Sequence, residues 1–82
     1  AHIAQVLQNF ARTTNGWYRL PDTQREAIEM IFHKIARQIN GAKDYPDNFH
    51  DIAGYAMLAE QEILSQLRGR SEGETDILAN LR

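Results

Sequence analysis

Glu26, Glu29 and His33 recur at i, i+3 and i+7, a spacing that sets all three on one side of a helix. Measured from Ile28 at about 100° per residue, Glu29 lies about 100° away, His33 about 140° and Glu26 about 160°. Further along, Asn48, Asp51, Tyr55 and Glu62 form a second polar row about 40–100° to one side of Ile52. Two carboxylates one turn apart, faced by others from a neighbouring helix, supply the hard oxygen ligands that suit Mg²⁺. Such an ion could hold a nucleotide's phosphates and orient a water against them. The same Glu-x-x-Glu spacing is common on solvated helix surfaces, so the row alone carries either reading.

The remaining chemistry-bearing residues point less far. His2, His33 and His50 fall in three separate segments, and none makes the H-x-x-x-H pair of a helical zinc site. Glu29 and His33 stand at i, i+4, the spacing of a local hydrogen-bonded pair. There is no G-x-S-x-G nucleophile turn and no Gly-rich phosphate loop. Trp17, Tyr18 and Tyr45 could stack on a base, but connector aromatics more often fill gaps between helices, and packing is the expected role.

Three helical segments must position these residues. In the first, Ile3, Val6, Leu7, Phe10 and Thr14 share one face, and Asn15-Gly16 is expected to close it. Trp17 to Leu20 reads as a packed connector. The second helix starts near Pro21-Asp22, with Pro in its first turn, and carries Ile28, Ile31, Phe32, Ile35 and Ile39 as a stripe. Asn40-Gly41 ends it. The third is expected from about Pro46 to Arg68, with Phe49, Ile52, Ala56, Ala59, Ile63 and Leu67 as its main stripe. A second apolar strip, Ala53, Met57 and Leu64, flanks that stripe and calls for a second neighbour. The short loop between the second and third helices predicts antiparallel packing, which would let the two polar rows converge. The fold class is therefore all-α: a small bundle of three main helices around a central antiparallel pair. Residues 1–68 form one helical domain. Residues 69–82 read as a polar linker and a short helix over Thr75 to Leu81, with Ile77, Leu78 and Leu81 as its apolar side.

Bulk properties bound the partners. A chain of 82 residues buries only about 60–65% of its unfolded surface and has no Cys to staple or ligate. Short helical chains of this kind gain stability by assembling, so a homo-oligomer is expected. Net charge is −2 and the pI about 5.9, without a basic stripe, which gives nucleic acid no electrostatic footing. No apolar run approaches the length of a membrane span. The opening AHIAQVLQNF lacks the charged-then-apolar order of a secretory leader, so the expected compartment is the cytoplasm, and the absence of an initiator Met leads us to expect residues upstream.

The stretch Gln24-Arg25-Glu26-Ala27-Ile28-Glu29-Met30-Ile31-Phe32-His33-Lys34-Ile35-Ala36-Arg37, followed by Asp47-Asn48-Phe49-His50-Asp51-Ile52-Ala53-Gly54-Tyr55-Ala56, resembles a family of small phage and prophage proteins of unknown function. Lys-Ile-Ala-Arg and Asp-Ile-Ala-Gly-Tyr-Ala are its most specific strings, and the resemblance covers about residues 1–62. The short Arg- and Gly-containing segment that usually precedes the first helix in that family is missing. More distantly, the two helices resemble the all-α nucleoside triphosphate pyrophosphohydrolases of the MazG kind. Those enzymes read E-x-x-E on one helix and E-x-x-D on the next, bind Mg²⁺ through these acids and release pyrophosphate. Glu26 and Glu29 match the first pair and Asp51 the final acid, while Asn48 stands where the second motif has Glu. Asp47, one residue earlier, points about 100° away from that position.

Two functions follow as expectations. The first is a phage- or prophage-encoded binding module, nucleotide-associated or directed at a host protein, that docks or dimerises through a helical face. The alternative is a Mg²⁺-dependent nucleoside triphosphate pyrophosphohydrolase. There the resemblance implies Glu26, Glu29 and Asp51 as catalytic and metal-binding acids, with Asn48 or Asp47 completing the shell; Lys34 or Arg37 is the expected phosphate contact, and Lys34, Asn48 and Tyr55 are the candidate nucleotide-binding residues. Asn48, in place of an acid, favours the module.

Overall fold

The computed structural model describes the backbone of residues 2–41 and 43–81 and the side chains of residues 2–41 and 43–69. Among the described residues the chain is all-α, with four helices and no strand: α1 (His2–Arg12), α2 (Asn15–Arg19), α3 (Asp22–Ile39) and α4 (Asp47–Leu81). The three longer helices fall where apolar periodicity places them.

Their boundaries differ in three places. Asn15-Gly16 opens a helix instead of closing one: α1 already ends at Arg12, which leaves Thr14 outside it. The Thr14 hydroxyl accepts the Trp17 backbone N–H at 3.3 Å, so Thr14 caps the five-residue α2. Pro21 stands one position ahead of α3, and Asp22 opens that helix near its positive end, paired with Arg25. Gly69 does not stop α4, which continues to Leu81. No Pro interrupts that stretch, and an interior Gly costs a helix only about 1 kcal/mol. The side chains of Ile77, Leu78 and Leu81 lie outside the described residues. The turn after α3 is made at Gly41, whose φ of +130° suits a residue without Cβ.

α3 is the central element. α1 packs on one flank and α4 on the other, and α1 and α4 share no comparable contact. Helical angles agree. Glu29 and Ala36, on the α1 side, lie about 140–180° around α3 from Lys34 and Gln38, on the α4 side. The arrangement is flat, with extents of 57 × 30 × 14 Å and a radius of gyration of 17.4 Å. A compact domain of this length would have a radius of gyration of about 12 Å.

Flatness leaves little interior. Among the described residues only Ala4, Trp17, Ala36 and Asn48 are buried. Ala4 and Ala36 are small, which suits close approach of α1 to α3, and Trp17 of α2 is buried beside a hollow it shares with Arg12 of α1 and Asp22 and Arg25 of α3. None of the apolar stripe residues of α3 is buried: Ile28, Ile31, Phe32 and Ile35 are half-buried and Ile39 is 63% exposed. Phe10 on α1 and Phe49 on α4 are 72% and 61% exposed. The stripes are therefore only partly turned toward the neighbouring helix: Ile52 and Ala59 of α4 lie at its contact with α3, whereas Val6, Phe10, Ile39, Phe49 and Leu67 are left exposed.

Candidate functional site

Of the polar rows, Glu26, His33, Tyr55 and Glu62 lie on the opposite side of the layer from these exposed stripe residues, while Asn48 and Asp51 meet α3 at the seam and Glu29 meets α1. A groove of about 340 Å³ runs between α3 and α4, lined by Thr23, Glu26, Ala27 and Met30 from one helix and Tyr55, Leu58, Ala59 and Glu62 from the other. Antiparallel packing brings Glu26 of the first row to Tyr55 and Glu62 of the second, as the expected convergence requires. Glu26 also borders a second hollow of about 320 Å³ with Arg12, Trp17, Asp22, Arg25 and Glu29.

The other acids take separate neighbours. Glu29 turns toward the α1 flank, where its carboxylate lies 3.6 Å from Arg12. Asp51 is 2.9 Å from the Lys34 ammonium across the α3–α4 seam. Lys34 is well covered there, with its side chain 16% exposed. The hydrogen bond from Lys34 holds the Asp51 carboxyl below the usual carboxylate range, partly opposed by desolvation and helped by the charges of Lys34, His50 and Arg37. Asp51, His50, Gly54, Tyr55 and Leu58 border a shallow third hollow of about 180 Å³.

Asn48 is 2% exposed and donates from Nδ2 to Gln38 Oε1 at 3.3 Å. The position that carries Glu in the pyrophosphohydrolase motif thus faces the helix seam here. Asp47 is exposed and accepts a hydrogen bond from the Tyr45 hydroxyl, which raises the Tyr45 pKa above its ordinary value. His33 is exposed on the same polar side as Glu26.

Among the described residues, no three His, Cys, Asp or Glu side chains come together so as to hold a metal ion. Glu26, Glu29 and Asp51 are therefore distributed over one polar face without forming a single ligand shell. Lys34 and Asn48 are engaged with Asp51 and Gln38, and Tyr55 stands at the edge of two hollows.

No protein-family model matches the chain, and no curated protein or solved structure matches it. The site's geometry has two sides: one that carries Glu26, His33 and Glu62 together with exposed Met30 and Leu58, and one on which Phe10, Ile39 and Phe49 are left uncovered. Periodicity located the residues of the apolar face but assigned them to an internal core. The signal that could have redirected that assignment is the pair of alanines, Ala4 and Ala36, which mark the true lines of helix contact. Among the described residues no helix is long and apolar enough to cross a membrane.

Proposed function

We propose that this chain is a small helical interaction module, of the phage or prophage kind that its sequence resembles, working through its apolar face. The single observation behind this reading is that α1, α3 and α4 each leave large members of their apolar stripes exposed on a flat molecule: Val6 and Phe10, Ile39, and Phe49 and Leu67. Large exposed apolar patches mark association sites, because water contact with them is unfavourable and a partner relieves it. Phe10, Ile39 and Phe49 are each more than 60% exposed, and these are the residues a partner would cover.

A second reading, a Mg²⁺-dependent nucleoside triphosphate pyrophosphohydrolase, draws on Glu26 and Glu29 one turn apart beside the α3–α4 groove. For these acids to share an ion with Asp51, the Arg12–Glu29 and Lys34–Asp51 pairs would have to open. The first reading needs no such rearrangement.

Two assays on the full chain separate them. One is pyrophosphate release from a panel of NTPs and dNTPs with Mg²⁺ or Mn²⁺, using the wild type and Glu29→Gln. Metal-dependent turnover abolished by Glu29→Gln would overturn the module reading. The other is affinity capture by wild type and by Ile39→Glu, followed by identification of what is bound. The module reading expects no turnover, and a captured protein, either this chain or another, that Ile39→Glu releases.

A further inference from the structure

We infer that the apolar face of α1, α3 and α4 is the interface of a homodimer, in which a second copy lies face to face on the first. The inference rests on the module reading and names its partner.

The three stripes lie on one side of the layer. Seen from its line of contact with α4, α3 carries Ile28, Ile35 and Ile39 on one side and Glu26, His33 and Arg37 on the other. On α4, Phe49, Ile63 and Leu67 lie to one side of the line through Asn48, Ile52 and Ala59, and Leu58 and Glu62 to the other. The groove between the helices is lined by Glu26, Leu58 and Glu62, so those two sides coincide and the stripes share the remaining one. On α1, the Arg12–Glu29 pair sits with the polar side, and Ile3 and Phe10 fall opposite it. What results is a broad apolar surface on one face of a single layer of helices.

A stable fold buries such a surface against a second layer. Three observations select a copy of the same chain as that layer. First, the accessible area is 6401 Å². A compact monomer of 9.4 kDa would expose roughly 5,000 Å², so the chain carries about 1,400 Å² in excess. A stable interface takes about 800 Å² from each partner. On the apolar face that area would come from Val6, Phe10, Ile39, Phe49, Ile63 and Leu67, which are 37–72% exposed. Second, the stripes of α1 and α3 hold no charged residue, and Glu60 is the charge set among those of α4. Such a face offers an acidic or basic partner nothing to recognise, and two copies meet across it with little like-charge repulsion. Third, Glu26, His33, Arg37 and Glu62 lie on the opposite face, which a face-to-face dimer leaves in water on both sides.

Sedimentation equilibrium of the full chain, from micromolar to submillimolar concentration, tests this directly. We expect a species of twice the 9.4 kDa chain mass. Ile39→Glu and Phe49→Glu place a charge at sites already 63% and 61% exposed in the single chain, so the helices should tolerate them. Each should raise the dimer dissociation constant by about 100-fold, since a charge in an apolar interface is left unpaired. Leu58→Glu, 63% exposed on the polar face, should leave it unchanged. Because the chain has no Cys, Phe49→Cys provides a second measurement: its alkylation should be slow at high concentration and fast on dilution.

A helical wild type that is monomeric throughout would overturn the dimer. So would a dimer indifferent to Ile39→Glu and Phe49→Glu, one broken by Leu58→Glu, or alkylation independent of concentration. A monomer that still captures another protein through Ile39 would sink the dimer while leaving the module reading standing. Monomer, no capture and NTP turnover together would remove both.

Discussion

Asn48 illustrates how burial assigns a role that residue type leaves open. Its amide is almost fully enclosed and hydrogen-bonded to Gln38, so it ties α4 to α3. Asn48→Ala should therefore cost about 1–3 kcal/mol in denaturant unfolding, the range for removing a buried hydrogen-bonding group. Asn48→Glu, the substitution that restores the pyrophosphohydrolase pattern, should destabilise further by placing a charge in the seam. An unchanged midpoint for Asn48→Glu would show that position 48 opens to solvent. Asp51 makes a pH prediction. Its folded pKa is depressed, so its contribution to stability is present above the unfolded value, near pH 4, and is lost as pH falls through the folded value. Lys34→Met removes the chief cause of the shift. Wild type should then lose more stability than Lys34→Met as pH drops below about 4, and parallel pH profiles would contradict this. The spacing of Glu26, Glu29 and Asp51 was readable from helical angles. Which cation each acid meets was not, because Arg12 and Lys34 arrive from other elements or across a seam.

At the level of elements, periodicity located α1, α3 and α4, while their ends followed local chemistry that periodicity does not register. Thr14 is a good capping residue three positions before Trp17, and this is the signal that Asn15-Gly16 starts a helix. Trp17 behaves as the connector aromatics were expected to, being 7% exposed, whereas Tyr18 points outward. Gly41 carries the turn from α3 toward α4 with φ at +130°. Gly41→Ala should lower stability by about 1 kcal/mol or more, because an L side chain rarely adopts that conformation. Open space surrounds the position, so a normal Tm would mean that the turn takes another shape.

For the whole molecule, flatness is the governing property. A single layer of helices has two faces and almost no interior, so its stability must depend on what covers the apolar one. If that is a second copy, Tm should rise with protein concentration, as mass action requires when only the folded chain associates. Ile39→Glu should abolish the rise. A Tm independent of concentration in wild type would place the stabilising contacts elsewhere.

The sequence by itself determined the helices, the antiparallel α3–α4 pair and the division of each helix into polar and apolar sides, because these follow from local propensity and a period of 3.6 residues. Tertiary structure alone decided where the apolar sides point. Ala4 and Ala36 are buried where α1 meets α3, on lines rotated away from the stripes, so Phe10 and Ile39, which periodicity would place in a core, are exposed and Ile28 and Ile35 only half-buried. On α4, Phe49 likewise lies off the line of contact and is exposed. A helical wheel ranks the sides of one helix. It cannot say which side the neighbours will occupy, since that depends on the shapes of several helices at once.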